Sequence, residues 1–188
     1  MSILYKVFSQ VLARVNDGMT GIRCRKYKLG PGENVTLSAP LEHINVHVRG
    51  GSVLALQQPK LTTGATRRTP YSLLVALGEN EDAKGDLYLD DGVSLVPNAT
   101  RLVTFTFANN SLSYTSEGSY HASQPLANIT ITGLQAQPKG VSLTYGNHER
   151  DTSQIATSFE DGVLKITGTG NFTADGAFQE DLKLNLKY

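Results

Sequence analysis

The sequence predicts an all-β protein: two antiparallel β-sandwich domains, preceded by a short N-terminal helix. Three observations carry this expectation. After residue 30, short runs of alternating polarity recur roughly every 8 to 12 residues. Gly, Asn and Asp separate those runs, as turn chemistry requires. No segment beyond residue 30 shows convincing helical periodicity.

Residues 1–30 stand apart. Lys6, Arg14, Arg23, Arg25, Lys26 and Lys28 face a single acid, Asp17. Ile3, Leu4, Val7, Val11, Leu12 and Val15 recur at helical spacing, which predicts an amphipathic helix from about Ser2 to Val15, ended by Asn16-Asp17-Gly18. Lys6 and Arg14 interrupt the stretch and no small-residue cleavage site follows, so a secretory leader is not expected. Two readings stay open for this basic segment: a transit peptide or membrane-surface helix, and a stretch outside the folded body.

The strands follow in order. Asn34–Leu37, Ile44–Arg49 and Ser52–Leu56 read as successive strands, with Gly50-Gly51 as the turn or bulge between the last two. Pro70–Leu77 is apolar on both faces, the mark of a central strand. Gly85–Leu89 leads into Asp90-Asp91-Gly92, a hairpin signal because Asp and Gly tolerate positive φ. Further on, Leu102, Thr104 and Thr106 point one way and Val103, Phe105 and Phe107 the other, before Asn109-Asn110 turns the chain into Leu112–Tyr114. Ala127–Gly133, Gly140–Gly146, Gln154–Phe159, Val163–Thr167 and Leu182–Leu186 complete the set, with Glu160-Asp161-Gly162 as a further turn. A seam near Asp91 to Thr100 divides the body into 31–92 and 93–188, with 1–30 as an atypical basic segment.

Composition narrows the function. Seventeen Lys and Arg balance 17 Asp and Glu, so no overall field favours nucleic acid or an anionic membrane. No apolar run reaches the roughly 18 to 20 residues of a membrane-spanning helix. Cys24 is the only cysteine, which excludes an internal disulfide and a multi-thiolate zinc site.

Catalytic chemistry is equally sparse. Glycoside hydrolysis needs two carboxylates about 5 Å apart, or roughly 6.5 to 9.5 Å for inversion. The acids available are Glu79, Glu81, Asp82, Asp86, Asp90 and Asp91. Asp86 and Asp90 on one strand face would lie roughly 13 Å apart, and neighbouring Asp90 and Asp91 would point to opposite faces. These acids read as turn chemistry, with calcium as a lesser alternative because their spacing misses the regular calcium-loop pattern. His43, His47, His121 and His148 lack metal-ligand spacing, no G-x-S-x-G elbow marks a nucleophile, and Gly168-Thr169-Gly170 reads as a turn. No residue is assigned a catalytic, cofactor-binding or metal-binding role.

Five N-x-[ST] sequences, at Asn34, Asn98, Asn109, Asn128 and Asn171, are candidate N-glycosylation acceptors. About two would arise by chance in a chain so rich in Ser and Thr. The excess favours a secreted history.

The stretch Ala39-Pro40-Leu41-Glu42-His43-Ile44-Asn45-Val46-His47-Val48-Arg49-Gly50-Gly51-Ser52-Val53-Leu54 resembles the segment after the catalytic barrel in glycoside hydrolase family 31, the family of the α-glucosidases. Gln57-Gln58-Pro59, Thr62-Thr63, Arg67 or Arg68, the strand Tyr71 to Leu77, and Gly85–Gly92 match in the same order. The likeness is greatest to secreted fungal α-glucosidases and covers roughly 31–188. It implies a proximal sandwich (31–92) and a distal one (93–188) behind a barrel that holds the catalytic aspartates. This chain carries no barrel onto which they could map. Residues 1–30 depart from the family pattern and the chain lacks Trp, which points to an incomplete proximal sandwich, with a truncated or misassembled gene product preferred over a purposeful new N-terminus.

The resemblance implies a non-catalytic pair of sandwiches that braces the barrel of a parent glycosidase. Arg49, Gly50, Gly51, Asp90, Asp91 and Gly92 would then be structural, the glycines for tight backbone and the acids for turns and an ion pair with Arg49 or Arg67. The parent family is secreted; the location of this chain is left open. The alternative is a stand-alone carbohydrate-binding module that takes an oligosaccharide on Tyr71, Tyr88, Tyr114, Tyr120 or Tyr145.

Overall fold

The computed structural model describes residues 2–6, 12–15, 22–23, 34–38, 41 and 46–188. Among these the chain is all-β, as expected. β1 (Ser2–Lys6) pairs antiparallel with β4 (Asn34–Ser38). β2 (Leu12–Val15) pairs with β3 (Ile22–Arg23) on one side and β5 (Val46–Arg49) on the other.

These strands correct the expected helix from Ser2 to Val15. Its apolar positions include β-branched Ile3, Val7, Val11 and Val15, which suit a strand as readily as a helix. An isolated helix of that length is also marginal in water. Pairing with β4 and β5 satisfies the backbone of both segments instead. Residues 7–11 and 24–33, with Cys24, and His43 lie outside the described residues.

The remaining strands are β6 (Ser52–Gln57), β7 (Tyr71–Ala76), β8 (Ala83–Leu89), β9 (Arg101–Ala108), β10 (Ser111–Gly118), β11 (Leu126–Thr132), β12 (Gly140–Tyr145), β13 (His148–Arg150), β14 (Ala156–Glu160), β15 (Val163–Thr167) and β16 (Leu182–Lys187). One helical turn, α1 (Thr63–Thr66), separates β6 from β7. The eleven strands form one sheet in the order β13-β12-β16-β10-β9-β8-β6-β7-β11-β15-β14. It is mixed: β7 runs parallel to β11 and β6 parallel to β8, whereas the other pairs are antiparallel. The β8–β9 ladder runs from Ala83↔Phe107 to Leu89↔Arg101, so backbone hydrogen bonds cross from 31–92 to 93–188.

The two outer strands of this sheet, β13 and β14, are consecutive in the chain. Laid flat, eleven strands would separate them by about 48 Å. The connection from Arg150 to Ala156 can span at most about 22 Å. The sheet therefore rolls up until its two edges approach, and its inner face closes on a single core running from Val53 to Leu186.

Alternation places that core. Val103, Phe105 and Phe107 point inward and are buried, while Leu102 and Thr104 point out. β7 is buried on both faces, with Leu73 and Val75 in the core and Leu74 and Ala76 covered on the opposite side. Phe178, from the segment before β16, fills the roll. Its ring meets Tyr71, Phe105 and Tyr114 edge to face with centroids 5.0, 5.9 and 5.4 Å away.

Turn chemistry holds as read at Asn109-Asn110 (φ 51° and 59°) and Asp161-Gly162 (φ 50° and 75°), each a two-residue connection between paired strands. Asp90-Asp91-Gly92 differs. It opens a long loop, 90–100, between β8 and β9.

Candidate functional site

Of the residues with a recognisable pattern, Gln57, Thr62, Arg67, Asp90, Asp91 and Gly92 gather at the end of the sheet where β6 and β8 finish. The loop after β6 is tied together by its own side chains. Thr62 caps α1 by accepting the Ala65 N–H at 3.2 Å. Gln57 Nε2 donates to the carbonyls of Arg67 (3.2 Å) and Thr69 (2.9 Å), and Thr66 Oγ1 accepts the Lys60 N–H at 3.0 Å. The loop is thereby held in one shape, and Arg67 leaves it in a fixed direction.

Arg67 reaches the second loop. Its Nη2 donates to the Asp90 carbonyl and lies 3.9 Å from Asp90 Oδ1. Of the two arginines expected to pair with these acids, Arg67 makes the contact. The pair is partly exposed, with side-chain accessibilities of 45% and 30%, so its Coulombic contribution is at most about 1 kcal/mol. Its consequence is geometric. The guanidinium lies over Gly92, which has a φ of 68°, and a Cβ there would come within 1.6 Å of Arg67 Nη1.

The acids serve their own loop. Asp90 Oδ1 accepts the Gly92 N–H at 2.8 Å. Asp91 Oδ1 accepts the N–H groups of Val93 (3.0 Å) and Ser94 (2.9 Å), and Ser94 Oγ donates to Asp91 Oδ2 at 2.5 Å. These bonds, the Ser94 hydroxyl foremost, hold the Asp91 carboxyl down at about 2 from an ordinary value of 3.8. A carboxyl that stays ionised in this way cannot be a general acid near neutrality.

Gly51 closes the inner end of the same strands: its N–H donates to the Ala76 carbonyl at 2.7 Å and its carbonyl accepts the Lys84 N–H at 3.0 Å. Gly85 lies where β8 passes β6, and a Cβ would meet the Val53 carbonyl oxygen at 2.1 Å. Gly50 is buried and Arg49 exposed at the end of β5.

Among the described residues no group of three or more His, Cys, Asp or Glu could hold a metal ion, and no helix is long and apolar enough to cross a membrane. Of the five tyrosines considered as sugar platforms, Tyr71, Tyr114 and Tyr145 are buried in the core. Their burial raises all three hydroxyl pKa values. Tyr114 and Tyr145 donate to the carbonyls of Ala177 and Gly176. Tyr120 is half-buried, and Tyr88 is the exposed one. The sequon residues Asn98, Asn109, Asn128 and Asn171 are all exposed, whereas the side chain of Asn34 lies outside the described residues.

Three anchors of the fold were not singled out by motif. Arg101 is buried, with Nε donating to the Tyr120 carbonyl (2.6 Å) and Nη1 to Ser116 Oγ (2.9 Å) and the Phe178 carbonyl (3.1 Å). Its position in phase with Val103, Phe105 and Phe107 was the available signal. Thr169 and Thr173 are also buried. Thr169 Oγ1 donates to the Leu126 carbonyl at 2.6 Å, and Thr173 Oγ1 accepts the Leu126 N–H at 2.8 Å.

No family model matches the chain. It is 52% identical over 154 residues to an α-glucosidase of Schizosaccharomyces pombe, a match covering 82% of this chain and 16% of that protein. It is 44% identical over 151 residues to an α-glucosidase of Aspergillus niger (80% and 15%), and 44% identical over 149 residues to an uncharacterized family 31 glucosidase of S. pombe (79% and 15%). The chain thus spans about one sixth of the length of the curated relatives it matches. A solved glucosidase II α subunit shares the fold with a TM-score of 0.74 at 22% identity, covering 98% of this chain and 21% of that one. A Flavobacterium johnsoniae GH31 dextranase shares it with a TM-score of 0.64 at 18% identity, covering 100% and 24%.

Proposed function

The chain belongs to glycoside hydrolase family 31, as part of its C-terminal region, and from that premise we propose that it is a non-catalytic brace for the catalytic barrel of an α-glucosidase-like enzyme. The observation that carries the reading is the use of Asp90 and Asp91. Both carboxylates accept hydrogen bonds from the backbone of their own loop. This use of the two acids favours a structural role over a pair that flanks a glycosidic oxygen.

In this reading hydrolysis of O-glycosyl bonds is the work of the larger enzyme, and this region supplies a stiff surface against which a barrel packs. Arg49, Gly50, Gly51, Asp90, Asp91 and Gly92 are structural, and the exposed sequon asparagines favour a secreted parent.

The test is turnover of an aryl α-glucoside by the purified chain, run beside a pull-down on starch. We expect neither hydrolysis nor retention. Turnover abolished by Asp90→Asn or Asp91→Asn would place a reaction centre here and overturn the reading. Retention lost in Tyr88→Ala would instead make the chain a carbohydrate-binding module.

A further inference from the structure

Among the described residues, every exposed large hydrophobic side chain but one precedes residue 103, and the exception is Tyr188. The topology gathers several of them at one place. β6 and β8 are parallel neighbours and β9 runs antiparallel to β8. Leu56 and Tyr88, late in their strands, and Leu102, early in β9, therefore lie at the same end of the sheet. All three are exposed, and Tyr88 and Leu102 are direct cross-strand partners.

The loops that Arg67 joins spring from this same end. They hold up Leu61, Val93 and Leu95, whose accessibilities of 104%, 88% and 102% leave them without cover. Single exposed leucines are ordinary on a protein surface. Apolar loop tips fastened beside apolar strand ends are a patch, and such patches mark interaction surfaces. The 58–70 and 90–100 loops carry five charged residues, of which Arg67, Asp90 and Asp91 are bonded within the loops themselves and the other two are Lys60 and Arg68. The complement of the exposed leucines and valines is a largely apolar face.

We propose that this end of the sheet, built from the 58–70 and 90–100 loops, is the docking surface for the catalytic domain of a family 31 glycosidase. The proposal rests on the brace reading above and names its contact. The occupant follows from the relatives, in which the matched region is only 16% of one polypeptide. The rest of that polypeptide is tethered beside it, at an effective concentration that favours burial of an apolar patch in cis.

The experiment grafts this chain in place of the matched region of the S. pombe α-glucosidase and introduces Leu61→Asp or Leu95→Asp, with Ser158→Asp on exposed β14 as the control. The graft should be active, and each loop substitution should speed its thermal inactivation about tenfold, because a buried unpaired carboxylate opposes docking. Ser158→Asp should not. The free chain should unfold at the same denaturant concentration with or without either loop substitution. A durable, active graft indifferent to both substitutions would overturn the docking surface and leave the brace reading standing. An unstable, inactive graft would overturn both. A dimer of the free chain that Leu95→Asp dissolves would assign the surface to a second copy, against the proposal.

Discussion

The guanidinium of Arg67 lies against the backbone of Gly92, closing the one direction in which a side chain at 92 could grow. Gly92→Ala therefore has two costs, the positive φ and the displacement of Arg67 from the Asp90 carbonyl. We expect a loss of about 1–2 kcal/mol, read from denaturant unfolding. Arg67→Ala combined with Gly92→Ala should recover the steric part of that loss. A double variant no better than Gly92→Ala would show that the contact is immaterial.

Asp91 gives the 90–100 loop a pH dependence of defined sign. Its pKa is lowered to about 2 from 3.8, so the folded state binds the proton less readily than the unfolded chain. The stabilisation is complete above the ordinary carboxylate range and fades as pH falls from near 3.8 through about 2. Wild type should exceed Asp91→Ala in denaturant midpoint at neutral pH, and the gap should close across that acid window. A gap that stays constant with pH would contradict this account.

Phe178 is the side chain on which Tyr71, Phe105 and Tyr114 converge. Phe178→Ala leaves a void inside the roll and should cost about 3–5 kcal/mol. Phe178→Leu should cost less, because it keeps most of the volume. Calorimetric midpoints rank the two.

Thr173 separates a structural role from a modification signal. Its hydroxyl accepts the Leu126 N–H in a buried setting, so Thr173→Val should lose about 1–3 kcal/mol. That change also erases the Asn171 sequon. Asn171→Gln erases the sequon alone, at an exposed site, and should leave the midpoint of unglycosylated protein unchanged. Equal losses from the two substitutions would refute the assignment.

Asn109 sits exposed in the two-residue turn between β9 and β10. Protein secreted through a eukaryotic host should carry a glycan there that peptide N-glycosidase removes, with Asn109 converted to Asp in the mass spectrum. An unmodified Asn109 in that material would remove it from the acceptor set.

What the sequence made legible was local. The alternation of Val103, Phe105 and Phe107, the doubly buried run in β7 and the Asn109-Asn110 turn all follow from residues that are neighbours in the chain. What it hid depends on distant partners. Ile3, Leu4 and Val15 fit a helical spacing, and only pairing with β4 and β5 selects the strand. Asp90 and Asp91 announced a turn but not a long loop, because the outcome depends on which backbone N–H groups their carboxylates capture. Arg101 and Phe178 meet across 77 positions, and the segment carrying Phe178 has no periodicity to mark it. The residues of the family resemblance fared better: Gln57, Thr62, Arg67 and Gly92 belong to one hydrogen-bonded pair of loops.

The last strand, β16, lies inside the sheet, with β12 on one flank and β10 on the other. During synthesis, Ser111–Tyr114 and Gly140–Tyr145 both emerge from the ribosome long before Leu182–Lys187 can pair with them. Pairing on both flanks must therefore wait until Leu182–Lys187 has been made. Loss of Leu182–Lys187 would deprive two finished strands of the same neighbour, and the damage would fall inside the sheet rather than at one of its edges.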